Sequence, residues 1–379
     1  MRERSMNRKH LCAALLALGV AVGIGAPAPA QAMARMDIAA ISVRASGANF
    51  RYWNKDAASY QALTDYVKDV TARMSMNYIP PEARVAVFDM DGTLMGERTP
   101  LYFEWMMYVH RVLDDPSYAA SEEDVSLATT IREGLASGGP INVPGDALAQ
   151  SQARVFAGMT LLEYDDYVRQ FMETPAEGLA VSPNAKSKLE PRTYLKRGEA
   201  FFLPMAEVMS YLQANGFDVW VISGSDRAAL RVLADGVLPV ARDHFIGKDV
   251  QYVASGQGAA DGNDYVFDQK SDVVVRGELL QRDVRMNKVA AIVREIGRQP
   301  VLAFGNSMGD ASMFNYTIAK NKHKAMAFAL LCDDTEDDRG NEDVAATMRA
   351  ACEENGWTPV SMRDDWKTIY GYGVKAEGK

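Results

Sequence analysis

Residues Val85-Ala86-Val87-Phe88 form an apolar run that stops abruptly at two carboxylates one residue apart, Asp89-Met90-Asp91, followed by Gly92-Thr93-Leu94. A short continuous apolar run reads as a strand buried on both faces, the kind found in parallel sheets covered by helices. In open α/β sheets, ligands bind in the crevice beyond the carboxyl ends of the strands. The run thus predicts a fold class and places Asp89 and Asp91 in a cleft. An i, i+2 pair on extended chain puts both carboxylates on one side, and Gly92 permits the sharp turn that brings backbone N–H groups toward an anion. Such a place suits a metal ion together with a phosphate.

The rest of the chain divides around this strand. Residues 57–74 carry apolar side chains at helical spacing (Tyr60, Leu63, Tyr66, Val67, Val70), and Pro80-Pro81 ends that element before the first strand. The next core strand is expected only at 217–223. Between them, residues 101–113, 122–135, 145–158 and 161–173 each show an apolar stripe, with breakers such as Gly138-Gly139-Pro140 between them. This block, 99–200, reads as an inserted, mainly helical cap, placed where a lid can close over the site and exclude water. From Pro204 the alternation resumes: a helix at 204–215, a strand at 219–222, a helix at 226–234 and a β-rich stretch over 244–275. A helix at 287–296, a strand at 301–304, an apolar run at 325–331 and a helix at 341–354 follow. The expected organisation is a leader (1–32), an N-terminal segment and start of the core (33–98), the cap (99–200) and the remainder of the core (201–379). Alternation of this kind argues for a parallel sheet covered on both faces.

The leader is read from Arg2, Arg4, Arg8 and Lys9, which precede an apolar stretch over 11–25 and then Ala30-Gln31-Ala32. This is the pattern of a secretory signal peptide, cut after Ala32 or Ala34, and the stretch is too short for an ordinary membrane span. Cys12 lies at the start of the stretch rather than its end, which fits a lipoprotein attachment poorly. The expected location is periplasmic or extracellular, with no stable membrane anchor once the leader is cut. Taking its four basic residues and one acidic residue from the chain's 41 and 50 leaves 37 against 49, a formal charge of −12. An acidic surface argues against nucleic acid and anionic membranes as partners, and requires a locally positive pocket for any anionic substrate. Beyond the leader only Cys332 and Cys352 remain; an exported chain allows a disulfide between them, and two free buried thiols fit equally. Nothing in the sequence sets an oligomeric state.

Three further elements fall at the ends of the later strands. Ser223 is followed by Gly224-Ser225-Asp226, so its hydroxyl and the next amides are candidates to hold a phosphoryl oxygen near a helix start; a turn and helix cap is the plainer reading. Lys288 sits at a helix start, where the dipole disfavours a cation unless an anion is bound nearby; a solvated lysine is the plainer reading. Gly305-Asn306-Ser307-Met308-Gly309-Asp310 offers Asn306 and Asp310 as oxygen donors for a hard cation. The same hexad contains Gly-x-Ser-x-Gly, the nucleophile elbow of α/β hydrolases, but after Ser307 the only histidine is His323, with no room for the intervening sheet. Three histidines beyond the leader (His110, His244, His323), no Cys-x-x-Cys and no His-Glu-x-x-His make zinc chemistry and histidine-nucleophile phosphatases poor fits. The turn Asp261-Gly262-Asn263-Asp264 lacks the later bidentate Glu of a calcium loop. Tyr102, Phe103, Trp105 and Tyr108 read as a helix core stripe, with an aromatic cage for a cationic head group as the sharper alternative. Glu97 facing the cleft would suit a substrate with an amine.

Taken together, Asp89/Asp91/Thr93, Ser223, Lys288 and Asn306/Asp310 resemble, in order and spacing, the four motifs of the haloacid dehalogenase (HAD) superfamily. The resemblance extends over nearly the whole chain beyond the leader. More narrowly, the chain looks like the exported acid-phosphatase-like or phosphoserine-phosphatase-like members with a helical cap, in which a tail like residues 356–368 also occurs. The resemblance implies a Rossmann-like core and a Mg2+-dependent phosphomonoesterase acting on a small organic phosphate through an aspartyl phosphate. By that resemblance Asp89 is the nucleophile and a metal ligand. Asp91 protonates the leaving alkoxide, activates water and joins the metal shell through its backbone carbonyl. Thr93, Ser223, Gly224 and Lys288 bind phosphoryl oxygens, and Asn306 and Asp310 complete the metal shell. An acid at position 91 separates phosphate enzymes from dehalogenases, whose halide leaves unprotonated. Asn306 departs from the pattern, since phosphoserine-phosphatase-like members place an Asp there, so metal affinity is expected to be weaker and Asp310 to carry more of it. The alternatives are transfer of the phosphoryl group to an alcohol, and a HAD-fold binding protein without turnover.

Overall fold

The computed structural model describes residues 33–98, 101–137, 141–181 and 193–376; the leader expected over 1–32 lies outside the described residues. In chain order the first elements are α1 (Arg35–Ala39), α2 (Ala58–Thr71), β1 (Val85–Phe88), α3 (Phe103–Leu113), α4 (Glu122–Ser137), α5 (Gly145–Arg154) and α6 (Leu161–Met172). There follow β2 (Pro175–Val181), β3 (Thr193–Lys196), α7 (Leu203–Ala214), β4 (Asp218–Asp226), α8 (Arg227–Leu233), β5 (Phe245–Ala254) and β6 (Val274–Gln281). The last are α9 (Met286–Ala291), β7 (Leu302–Gly305), α10 (Ala311–Ile318), β8 (Met326–Leu330), α11 (Glu342–Asn355), β9 (Thr358–Val360) and β10 (Val374–Ala376).

Seven strands form the main sheet in the order β6-β5-β4-β1-β7-β8-β9. All neighbours run parallel except β6, which returns antiparallel along β5. The apolar run is therefore the central strand, flanked by β4 and β7. Alternate residues feed opposite cores: Ala86 and Phe88 join one hydrophobic cluster, Val85 and Val87 the other. Across one face the rings of Phe88, Phe304 and Phe328 stack in a row, with centroids 4.4 and 5.0 Å apart. Because β4, β1 and β7 are adjacent and parallel, their carboxyl ends deliver residues 223–226, 89–91 and 305–310 to one place.

Helices α3 to α6 occupy the block read as helical, and α6 starts at a full capping box between Thr160 and Glu163. The end of that block differs from the expectation. Residues 175–181 and 193–196 are strands, and with β10 they make a separate antiparallel sheet. The β2 segment opens on Pro175 and contains Gly178, both poor strand formers, and its β10 partner lies about two hundred residues away, so no local pattern announces the pairing. A second difference lies after α9, where the helix widens into a π-helical turn at Ile292–Ile296 that Gly297 closes in the left-handed region.

Buried charges tie these helices to the sheet. Arg276 of β6 pairs with Asp226 at 2.5 Å, its guanidinium lying 3.6 Å from the Tyr164 ring centroid. Lys248 of β5 reaches Glu104 of α3 at 2.5 Å and Gln152 of α5 at 2.6 Å. The tail at 356–368 has a structural job: β9 adds the edge strand beside β8, and Trp366 bridges to Trp53 with ring centroids 5.8 Å apart, fastening the N-terminal segment. Cys332 and Cys352 are free and buried. Cys332 belongs to the cluster on one face of the sheet and Cys352 to the cluster on the other, which rules out a bond between them. Among the described residues no helix is long and apolar enough to cross a membrane.

Candidate active site

β1 carries Asp89 past its last residue, and the Asp89 amide still donates to Phe304 of β7 at 2.8 Å. The chain then turns sharply, with the amides of Thr93, Leu94 and Met95 all donating to the Met90 carbonyl. Gly92 sits at φ +73°, and a Cβ there would stand 1.9 Å from Asn306 Nδ2 and 2.6 Å from Glu97 Oε2. Only glycine fits that crossing.

Two arrangements surround the aspartates. On one side Lys288, a residue 2% exposed, donates through Nζ to Asp89 Oδ1 at 2.5 Å and to Asp310 Oδ1 at 2.6 Å. Burial and the nearby Asp310 push the Asp89 carboxyl up to about 8 against the pull of Lys288. Burial alone would lower Lys288, but Asp310 and Asp89 outweigh it and keep the ammonium charged. The solvated-lysine reading is excluded. On the other side Asp91 Oδ2 accepts from Ser225 Oγ at 2.6 Å and from Ser223 Oγ at 3.3 Å. Burial raises Asp91 to about 7, with Ser225 opposing and Glu97 and Glu104 adding to the rise.

Each of the sequence-predicted residues lies in this cluster, but two are oriented otherwise than expected. Ser223 aims its hydroxyl at Asp91 and accepts the Ser225 amide at 3.1 Å, so in this state it orients an acid rather than presenting a free donor. Asp310 has both oxygens engaged: Oδ1 by Lys288, and Oδ2 by the amides of Asn306 and Ser307, each at 3.1 Å. It holds the lysine and the 305–310 loop, which leaves Asn306 rather than Asp310 to present an open oxygen. Gly224 packs under Val284, whose methyl would stand 3.0 Å from an added Cβ. Thr93 Oγ1 lies 3.5 Å from Asn306 Oδ1. The Ser307 hydroxyl is taken up in its own turn, accepting from Gly309 N and donating to Asp310, which disposes of the nucleophile elbow.

Sequence reasoning missed Ser225 as a partner of Asp91, although its place two residues after Ser223 in one loop was the available signal. Glu97 is also more than a cleft residue: its Oε2 accepts from Asn306 Nδ2 at 2.6 Å. The aromatic cluster splits in two. Phe103 and Tyr108 are core, the Tyr108 hydroxyl 2.7 Å from Ser151 Oγ. Tyr102 and Trp105 stack with centroids 5.3 Å apart and line a cavity of about 840 Å³, together with Glu97, Arg98, Met308 and Met348. Tyr102 also brings its hydroxyl to 3.4 Å from Ser225 Oγ.

The donors fit a hard divalent cation. Asp89 and Asn306 offer a carboxylate and an amide oxygen, with Glu97 one hydrogen bond behind Asn306, and Glu97, like Asp89, is raised by burial, to about 7, with Asp89 adding to the rise. Buried carboxyls whose ionised forms crowd one another are what a bound cation relieves. Among the described residues no three His, Cys, Asp or Glu side chains converge as a ready-made metal cluster. Magnesium commonly takes one or two carboxylates and completes its shell with water and substrate phosphate.

A model of the family described as haloacid dehalogenase-like hydrolase matches residues 86–315. Among solved structures the chain is similar to a functionally unknown protein from Anaerococcus prevotii DSM 20548, at 14% identity and a TM-score of 0.46, covering 82% of this chain and 92% of that one. It is also similar to cytosolic 5'-nucleotidase IIIB bound to cytidine, at 14% identity and a TM-score of 0.45, covering 83% and 87%. A third is a probable phosphoserine phosphatase from Vibrio cholerae, at 11% identity and a TM-score of 0.38, covering 76% and 64%. No curated protein matches.

Proposed function

The chain belongs to the haloacid dehalogenase-like hydrolases, and from that premise we propose that it is an exported, Mg2+-dependent phosphomonoesterase acting on a small organic phosphate. The observation that carries the reading is the division between its two aspartates. Asp89 shares a lysine cation with Asp310, whereas Asp91, two residues on, is held by serine hydroxyls with its carboxyl raised to about 7. Burial raises both carboxyls, but only Asp89 has a cation beside it, and a bound metal ion would add a second that holds it ionised as the nucleophile; Asp91 has hydroxyl partners alone and is placed as the acid.

In the first step an Asp89 carboxylate oxygen attacks phosphorus, the bond to the leaving oxygen breaks, and Asp91 gives that oxygen its proton. In the second, water attacks the aspartyl phosphate while the Asp91 carboxylate takes the water proton, releasing inorganic phosphate and restoring both aspartates. Lys288 offsets charge at Asp89, and Thr93 and the residue 223–225 loop stand beside the transferring group. A bound magnesium ion, held by Asp89, the Asp91 carbonyl and Asn306, would offset charge on the phosphoryl oxygens. The leaving group would face the Tyr102/Trp105 cavity. Export rests on the basic and apolar pattern of the first 32 residues.

The test is phosphate release by residues 33–379 from a panel of phosphomonoesters that includes phosphocholine and phosphoserine, with magnesium or EDTA. Release that EDTA abolishes supports the reading, and no release from any substrate sinks it. Added alcohol acceptors with product analysis separate hydrolysis from transfer.

The Ser225 bond yields a pH prediction. Activity needs protonated Asp91, so the rate falls as pH rises through the Asp91 pKa. The Ser225 hydroxyl favours the ionised form, and Ser225→Ala removes that help. The alkaline limb of the kcat profile is expected to move up by about one unit, the worth of a hydrogen bond to a charged group. A limb that stays in place or moves down would show that another group sets it.

A further inference from the structure

We propose that Glu97 is the positioning residue that makes Asn306 serve as a metal ligand in this chain, an inference that rests on the magnesium reading above. An asparagine at position 306 poses two difficulties for a cation site. Its side chain carries an oxygen at one end and a nitrogen with two hydrogens at the other, and only its neighbours decide which end faces the site. It also brings no charge, where an aspartate would bring one.

Glu97 meets both difficulties. Asn306 Nδ2 donates to Glu97 Oε2 at 2.6 Å, so the nitrogen end of the amide is turned to the carboxyl. Cys332 Sγ, a weak acceptor, lies 3.8 Å from the same nitrogen. With Nδ2 committed to these two partners, Oδ1 faces the other way, toward Thr93. The amide is thereby fixed with its nitrogen against Gly92 and Glu97 and its oxygen toward Thr93. Opposite a bound cation, Glu97 would also supply, one hydrogen bond away, the negative charge that position 306 lacks. The packing is built around this pair, because any side chain at position 92 would collide with both partners. Partners of metal ligands that fix ligand orientation in this way commonly matter to affinity by about 10- to 100-fold.

The experiment is calorimetric titration of Mg2+ into the residue 33–379 protein as wild type, Glu97→Gln, Asn306→Asp and the double variant, with metal-free melting curves as a check on folding. Glu97→Gln is expected to weaken Mg2+ binding by about 10- to 100-fold. Added to Glu97→Gln, Asn306→Asp is expected to restore affinity to near wild type, because the glutamine amide introduced at position 97 can now donate to the new carboxylate. In the wild-type background the same change sets two carboxylates face to face and gives no such gain. Glu97→Asp, which keeps the charge but shortens the reach, is the companion variant, expected to lose affinity like Glu97→Gln. Wild-type affinity in either Glu97 variant, or an Asn306→Asp effect of the same factor in both backgrounds, overturns the proposal alone. No Mg2+ binding by the wild type overturns it together with the magnesium reading.

Discussion

Asp89→Asn is expected to lower phosphate release by at least about three orders of magnitude while yielding a protein that melts no lower than the wild type. The substitution changes no volume and removes the nucleophilic oxygen pair, so the first covalent step has no substitute. Stability goes the other way. Burial holds the folded Asp89 carboxyl near 8, above its ordinary 3.8. A carboxyl raised in this way contributes most to stability below its unfolded pKa, and that contribution is lost as pH rises through the folded value. The amide does not titrate, and Lys288 keeps Asp310 at 2.6 Å. In metal-free buffer, Asp89→Asn should therefore match the wild type near pH 4 and gain on it toward pH 8. Release assays and melting curves at both pH values check the two halves. Undiminished release would remove Asp89 from the chemistry, whereas a folded, inactive variant would count against a protein without turnover.

The parts of this molecule that could be read in its sequence are those whose physics is local. Val85–Phe88 had to be a strand covered on both faces because four apolar residues in a row leave no solvent face, and the site followed because parallel neighbours end together. Thr160 and Glu163 announce the start of α6 within four residues. What could not be read depends on partners distant in the chain. The β2, β3 and β10 sheet joins segments about two hundred residues apart, and neither Pro175 nor Gly178 argues for a strand. The same holds within the site. Residue types located Asp89, Lys288 and Asn306, but the direction of each side chain is set by groups from other elements: Asp310 takes Lys288, Ser225 takes Asp91, and Glu97 takes Asn306 from 209 residues away. The Cys332 and Cys352 pair shows the limit most simply, since an even count allowed a bond and the sheet between them forbids it.

Lys288→Met should cost both stability and activity, and its pH dependence separates the two roles of the lysine. The ammonium is shared by two carboxylates whose side chains, at 9% and 1% exposure, have little water to turn to. Removing a buried partner typically costs about 3–5 kcal/mol, whereas loss of an exposed lysine pair costs at most about 1 kcal/mol. Urea unfolding at pH 8 in EDTA is expected to show the larger figure. Without the lysine, the Asp89 carboxyl moves further above its ordinary value, so its ionised form is disfavoured over a wider range. The deficit relative to wild type should therefore be smaller near pH 4, where Asp89 binds a proton in both proteins and the loss is that of the Asp310 contact, and should widen as pH rises toward 8. Magnesium should return part of the lost stability, because a divalent cation bound only by the folded state replaces some of the missing charge. Phosphate release should remain about 10²- to 10³-fold down even in saturating magnesium, since the lysine charge stands where negative charge collects during transfer. A variant that unfolds like the wild type at pH 8 would mean that the lysine is not what makes this carboxyl pair tolerable in the folded protein. Recovery of full activity with magnesium would make Lys288 a structural counter-ion alone.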